Sequence, residues 1–166
     1  MRLSAEQFKQ SKNKRLTLLG MSGVGKTHLS KLLSNEDKWF HYSGDYRIGA
    51  EYLNQAILDN IKHNIRQDDW LGDLLDNKSI SVENHITFDN LSSVSAFLGK
   101  AGNPEQGGLP IDEFTRRQAL FQEAEISAML DVPQFIKKST QQGFDHFIND
   151  AGGSLCELDD DKVYQT

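Results

Sequence analysis

The chain has 166 residues, 37% hydrophobic and 25% charged, which is the balance of one soluble globular domain. Its formal net charge of −6 argues against general nucleic-acid binding, because a phosphate backbone requires concentrated Lys and Arg. Cys156 is the single cysteine, which excludes an internal disulfide and a thiolate metal cluster. With no secretory leader or membrane-spanning apolar run in the sequence, we expect a cytoplasmic protein.

Strands and helices are predicted to alternate through the first part of the chain, after a polar lead-in over residues 1–14. Apolar and aromatic runs bounded by glycine predict strands, and apolar positions at helical spacing predict helices. The predicted elements are a short helix over 5–10, a strand buried on both faces over 15–19, a helix over 26–34, a strand over 39–43 and a helix over 51–64.

The second part is predicted to be mainly helical until its final strand. The predicted elements are a helix near 70–75, a strand over 80–88, a helix over 91–98, a long helix capped by Asp112 and ending near Leu130, a helix over 134–142 with Pro133 before it and Gly143 after it, and a strand over 144–148. That last strand delivers Asn149 and Asp150 to its carboxyl end.

The segment from Gly20 to Thr27 reads Gly-Met-Ser-Gly-Val-Gly-Lys-Thr, and it meets every fixed position of the Walker A pattern between a predicted strand and a predicted helix. Backbone amides of such a loop point at phosphate oxygens, Lys26 reaches the β and γ phosphates, and the Thr27 hydroxyl serves Mg²⁺. The alternative is a glycine-rich turn without a ligand. The predicted nucleotide-binding residues are Gly20, Ser22, Gly23, Val24, Gly25, Lys26, Thr27 and His28.

A phosphate loop needs a further acid near its magnesium, and such an acid commonly ends a neighbouring apolar strand. Asp150 is the candidate, because small residues follow it at the edge where open parallel sheets bind ligands. The alternative is a turn aspartate before Gly152 and Gly153. Asn149 has the same two interpretations.

The segment Tyr42-Ser43-Gly44-Asp45-Tyr46-Arg47 resembles the one after the second strand of adenylate-kinase-like P-loop enzymes. The resemblance implies that Asp45 accepts the proton of a substrate hydroxyl and that Arg47 binds an anionic acceptor or product. A helix cap at Asp45 and a surface ion pair at Arg47 are the alternative. Arg116 and Arg117 fall where these kinases carry a mobile lid with charge-stabilising arginines, and Arg117 is the catalytic candidate; a solvated helix face is the alternative.

The longer pattern, from the phosphate loop to Asn149-Asp150-Ala151-Gly152-Gly153, resembles a family of uncharacterised bacterial P-loop ATPases. Members of that family are longer, so the resemblance implies an amino-terminal portion. It also implies an α/β fold of the P-loop NTPase type, with a three-layer α/β/α arrangement and a parallel sheet that is truncated at the carboxyl terminus. The nucleotide-binding domain is predicted over 15–166, with a helical insert or lid over 65–143.

These observations predict a magnesium-dependent, ATP-binding phosphotransferase that acts on a small acceptor. An ATPase that drives a conformational change, and a regulatory module that binds nucleotide without turnover, are the alternatives. The Asp-Gly-Phe-Pro-Arg segment of nucleoside monophosphate kinases is absent from the sequence, so their substrate does not carry over. Absence of Asn-Lys-x-Asp favours adenine over guanine. The acceptor and the oligomeric state stay open.

Overall fold

The computed structural model of the chain describes residues 4–21, 23–35 and 38–153. In chain order the elements are α1 (Ala5–Gln10), β1 (Arg15–Leu18), α2 (Lys26–Ser34), β2 (Trp39–Ser43), α3 (Gly44–Arg47), a π-helical segment (Ile48–Leu53), α4 (Asn54–Ile65), α5 (Asp69–Asp76), α6 (Ser92–Leu98), a 3-10 turn (Pro104–Gln106), α7 (Ile111–Leu130), α8 (Val132–Gln141) and β3 (His146–Asp150). Within the described ranges no helix has the length and apolar character needed to cross a membrane.

The chain divides into two compact units. The first consists of the described parts of 1–45 and 125–166, and it contains all three strands. The second consists of residues 46–124 and is mainly helical. The boundaries fall inside α3 and α7.

The sheet is parallel throughout, with the strand order β1-β3-β2. In the central strand, β3, residues 147–150 are all buried, with Ile148 and Asn149 fully so. Its register pairs Leu18 with Asp150 on one side and Ser43 with Asp150 on the other. Because parallel strands end at one edge of a sheet, the segments that follow β1, β2 and β3 begin side by side. The fold is therefore of the α/β class, with a small three-stranded sheet.

Several predicted elements are confirmed with close boundaries, among them the helix from Lys26 to Ser34 and the strand from Trp39 to Ser43. In α8, Pro133 lies in the first turn, and Gly143 follows the helix with a left-handed φ of 89°. A proline has no amide hydrogen to lose in a first turn, and glycine adopts positive φ without strain. The helix predicted over 51–64 is also present, preceded by the π-helical turn from Ile48 to Leu53.

Two predictions about strands were wrong. The predicted strand from Arg15 is formed and ends at Leu18, but it is not buried on both faces: its residues alternate between exposed and half-buried, because its single strand neighbour in the described sheet is β3. The strand predicted over 80–88 is not formed; its regular pairing is limited to one bridge between Thr87 and Asn90. Ile86 instead packs on Gly49, where an added Cβ would lie 3.2 Å from its side chain.

The predicted cap at Asp112 was also wrong. α7 starts one residue earlier, at Ile111, so that Asp112 lies inside the first turn. An acid there still interacts favourably with the positive end of the helix dipole.

Aromatic packing fixes α8 on the sheet. Phe40 and Tyr42 lie on one face of β2, and their ring centroids are 6.4 and 4.9 Å from that of Phe135. Phe147 of β3 stacks on Phe40 with a centroid distance of 5.6 Å. The buried Tyr42 hydroxyl donates a hydrogen bond of 2.5 Å to the Ala128 carbonyl, which ties the end of α7 to β2.

The end of β2 lies against the segment after β3, backbone to backbone. A Cβ on Gly44 would be 3.1 Å from the Gly152 amide nitrogen and 3.2 Å from the Asp150 carbonyl oxygen. Both distances are shorter than ordinary van der Waals contact, so a side chain at Gly44 would push the two segments apart. Gly44 therefore sets where its neighbour, Asp45, stands relative to the carboxyl end of β3.

Candidate functional site

The loop between β1 and α2 bends at glycines with left-handed backbone conformations. Gly23 and Gly25 adopt φ values of 84° and 93°, in the left-handed region where other residues are strained. Gly25 is the amino-terminal cap of α2, so the unpaired amides of that helix face the loop. Helix amino termini carry about half a positive charge, which favours an anion there. Ser22, predicted to bind phosphate, lies outside the described residues.

Lys26 turns back into the loop. Its ammonium group donates hydrogen bonds to the carbonyl oxygens of Gly20, at 2.7 Å, and of Met21, at 3.1 Å. The bonds hold the loop curved and place the cation inside the curve. A phosphate oxygen offers an ammonium group a stronger, charge-assisted partner than a carbonyl does, so the same geometry can exchange one for the other.

A cavity of about 230 Å³ opens beside this lysine. Its lining residues are Gly23, Gly25, Lys26, Thr27, His28, Asp45 and Gly153. The structure thus brings together five of the predicted nucleotide-binding residues, the predicted catalytic aspartate and the segment after β3. Gly20 contributes its carbonyl to Lys26, whereas Val24 points outward with 64% of its surface exposed.

Asp45 occupies an unfavourable position for a carboxylate. Burial raises the pKa of this carboxyl above its usual value of 3.8, the charge of Asp150 raises it further, and the charge of Lys26 lowers it. Burial is the largest of the three causes. Burial combined with nearby charges shifts the pKa of many acids at functional sites in this way.

Asp150 is not among the residues that line the cavity. Its side chain is 5% exposed, and one oxygen is 3.8 Å from Nε2 of His41, which is itself 12% exposed. The alternation of β3 sends the neighbouring Asn149 to the other face of the sheet, where its amide nitrogen contacts the Met129 sulfur at 3.6 Å. The interpretation of Asn149 as a turn residue was wrong, because it lies inside β3, and its side chain packs against α7.

The oxygen donors near the loop suit Mg²⁺ better than a metal held by protein alone. In the part of the chain that the structure describes, no group of three or more His, Cys, Asp or Glu side chains is arranged to hold a metal ion. Mg²⁺ keeps several waters and binds through one or two carboxylates together with substrate phosphates. The Thr27 hydroxyl and the Asp150 carboxylate, the two predicted ligands, would fit that smaller set beside a triphosphate.

The other two predicted catalytic residues, Arg47 and Arg117, belong to the second unit. Arg47 pairs with Glu51 at 3.1 Å and lies 5.5 Å from the ring centre of Tyr52. Arg117 is buried, donates to Glu113 at 2.7 Å, and also donates to the Phe97 carbonyl.

Arg116 binds the same glutamate through two hydrogen bonds of 2.8 and 2.9 Å. Hydrogen bonds from Arg116 and Arg117 lower the pKa of Glu113 to about 2. The three side chains therefore form a charged cluster, which lines a cleft of about 860 Å³ within the second unit.

Sequence reasoning gave no role to His41 or Glu125. His41 reaches Asp150 only through the pairing of β2 with β3, a contact over a long sequence separation that carries no local pattern. Glu125 did leave a signal, because it lies at helical spacing from Phe121 and Ala128, on the apolar stripe of α7. An acid in such a stripe is either paired or functional.

Comparisons with known proteins add no assignment: the chain matches no family model, no curated protein and no solved structure.

The raised pKa of Asp45 predicts that its ionisation opposes folding. The unfolded carboxyl loses its proton near pH 3.8 and the folded one at a higher pH, so the free energy of unfolding falls as pH rises between the two values. Asp45→Asn cannot ionise and should be more stable than the wild type at neutral pH. Chemical denaturation across that pH range should show this advantage vanish below the unfolded pKa.

Asp145→Asn is the matched control, because its expected effect on stability has the opposite sign. Lys38 lies 2.8 Å from Asp145 and lowers the pKa of that carboxyl, so its ionised form favours the folded state above the unfolded pKa. The control should therefore be slightly less stable than the wild type at neutral pH. A stability loss in Asp45→Asn like that in Asp145→Asn would contradict the account of the site.

Protonation of Glu113 at low pH should destabilise the second unit. The pKa of Glu113 is about 2 in the folded chain, below its usual value of 4.5. Its contribution to the free energy of unfolding is therefore fully present above pH 4.5 and disappears as the pH falls towards 2. Glu113→Gln should lower the free energy of unfolding at neutral pH and flatten its pH dependence between these values. Urea titrations test this, with the exposed Glu105→Gln as the control; equal pH profiles for the wild type and Glu113→Gln would refute it.

Proposed function

We propose that this chain binds magnesium ATP through the loop of residues 20–27 and transfers its γ-phosphoryl group to a small acceptor. The observation that carries the proposal is the Lys26 ammonium, which lies on the carbonyls of Gly20 and Met21 beside a cavity shared with Asp45. A cation, helix amides and an acid around one small cavity are the groups that phosphoryl transfer uses. A glycine-rich turn without a ligand needs none of them.

The order of the elements along the chain supports a P-loop NTPase assignment. A strand, a loop with two left-handed glycines and a helix follow one another, and a parallel strand that ends in an acid lies beside the first. We propose that the three strands are part of a three-layer α/β/α sheet of the kinase-like P-loop type. The low cysteine content and the acidic composition are compatible with a cytoplasmic location.

Each group at the loop has a distinct task in this proposal. Lys26 leaves the loop carbonyls and binds the β and γ phosphates, while the amides at the start of α2 bind phosphate oxygens. The Thr27 hydroxyl and Asp150 would hold Mg²⁺. When bound, that ion would neutralise charge on the phosphates.

Asp45 orients the nucleophile. Its carboxyl lines the cavity, and burial raises its pKa, so it accepts a proton from a hydroxyl more readily than an exposed aspartate would. The acceptor's oxygen attacks the γ phosphorus, the bond to the β-phosphate oxygen breaks, and ADP leaves with that electron pair. If water takes the acceptor's place, the same arrangement performs ATP hydrolysis.

Arg47 and Arg117 receive no step here, because each guanidinium is paired within the second unit, Arg47 with Glu51 and Arg117 with Glu113. Since Arg47 was the residue predicted to bind the acceptor, the acceptor has to be identified by screening small molecules. A small molecule that increases ATP consumption identifies a phosphotransferase, whereas consumption that no acceptor alters identifies an ATPase. Binding without any consumption identifies a regulatory module.

Lys26→Ala should weaken magnesium ATP binding about 10- to 100-fold, since a hydrogen bond to a charged group contributes about 1.5–3 kcal/mol. Calorimetric titration measures the affinity, and circular dichroism checks the fold. Lys31→Ala is the control, because it removes an equal charge from the same helix but from outside the cavity lining. Equal affinities for the wild type and Lys26→Ala would remove the loop from the mechanism.

Chelation of magnesium should lower ATP affinity about tenfold or more, because the phosphates then face Asp45 and Asp150 without a neutralising ion. In Asp150→Asn this magnesium dependence should be smaller, since one of the two repelling charges is gone. Titrations with and without a chelator provide the comparison. Unchanged affinity after chelation would exclude Mg²⁺ from the site.

A further inference from the structure

Glu125 is a buried acid close to the candidate site. It lies in α7, and 2% of its surface is exposed. It does not line the cavity around Lys26. Burial of a carboxyl group costs free energy unless its partners compensate, and a second acid nearby increases that cost.

Gly152 shows where the Glu125 carboxyl is aimed. A Cβ added to Gly152 would lie 2.7 Å from Oε1 of Glu125 and 3.2 Å from Oδ1 of Asp45. The two carboxyl groups thus approach one point on the backbone that follows β3, and a glycine leaves the space for both. Any larger residue there would displace at least one of them.

Asp45 therefore has two different surroundings. One side of its carboxyl lines the cavity that holds Lys26, and the other side lies over Gly152, next to Glu125. Attraction to Lys26 draws Asp45 towards the cavity, and repulsion from a second carboxylate disfavours the turned-in position. The charge of Asp150 also repels the Asp45 carboxylate.

We propose that Glu125 is a positioning residue that keeps the Asp45 carboxylate turned towards the phosphate cavity. This inference rests on the function proposed above. Glu125 does not touch the nucleotide; it acts through Asp45 and through the space that Gly152 leaves. Glu125 therefore affects the rate of phosphoryl transfer, because Asp45 orients the nucleophile. The affinity for the nucleotide comes from Lys26 and the loop amides.

Glu125→Gln in the full chain is the first test. The amide has the same shape, but its NH₂ group can donate to Asp45 and hold it over Gly152, away from the cavity. Turnover of magnesium ATP should fall about 100-fold, the size of loss that misplacing a catalytic group by about 1 Å can cause, with affinity within about threefold of the wild type. Glu125→Asp keeps the charge and should recover part of the turnover.

Turnover per folded molecule separates this role from a structural one. Urea denaturation gives the folded fraction of Glu125→Gln, and the measured rate is divided by that fraction. If Glu125 served only packing, Glu125→Gln would unfold more easily while its folded fraction kept the wild-type rate. A folded Glu125→Gln variant that turns over ATP at the wild-type rate would overturn the proposal.

Gly152→Ala tests the shared contact independently of catalysis. Its methyl group should lower the free energy of unfolding in the wild type and lower it less in a Glu125→Ala background, where the closest oxygen is gone. Equal losses in both backgrounds would refute the geometry. If the wild type neither binds nor consumes magnesium ATP, the proposed function fails and this role fails with it. If the wild type does both and Glu125→Gln matches it, only this role fails.

Discussion

Parallel pairing of β1 and β2 with the central strand β3 is the constraint on which the candidate site depends. It brings three chain segments to one edge of the sheet, although the first of them follows Leu18 and the last follows Asp150. Backbone contact between Gly44 and Gly152 then sets the spacing at that edge. Hydrogen bonds from Lys26 hold the loop after β1, and the edge of the sheet places Asp45 beside that lysine.

The site gathers charges that do not favour the folded state by themselves. Asp45 is buried next to Asp150, Glu125 is almost fully buried nearby, and Lys26 is the cation that lines the cavity with Asp45. Burial makes the charge of Asp45 costly in the free protein, and under the proposed function a cation and a polyphosphate that enter together offset this cost. We therefore expect nucleotide and magnesium to bind as a pair, each weakening the repulsion that the other meets.

Sequence reasoning found the parts of this site that have a local signature. The loop carries its own spacing, Asp150 ends an apolar strand, and Gly143 and Pro133 mark helix boundaries through their backbone geometry. Contacts that only the folded chain creates left weaker signals or none: His41 beside Asp150, and Glu125 above Gly152. The same limit explains the errors in the fold, since the exposure of β1 depends on its neighbours and Ile86 packs on a distant glycine instead of joining a sheet.

The most direct test of the account is an amide NMR titration of the chain with magnesium ATP. The account predicts large shift changes at Gly23, Gly25 and Lys26, together with changes at Asp45 and Gly153 across the same cavity, and small ones at the Asn103–Gly108 turn of the second unit. If the folded chain gave no shift changes in the loop at saturating nucleotide, or if the changes lay only in the second unit, the assignment of residues 20–27 as a phosphate site would be contradicted.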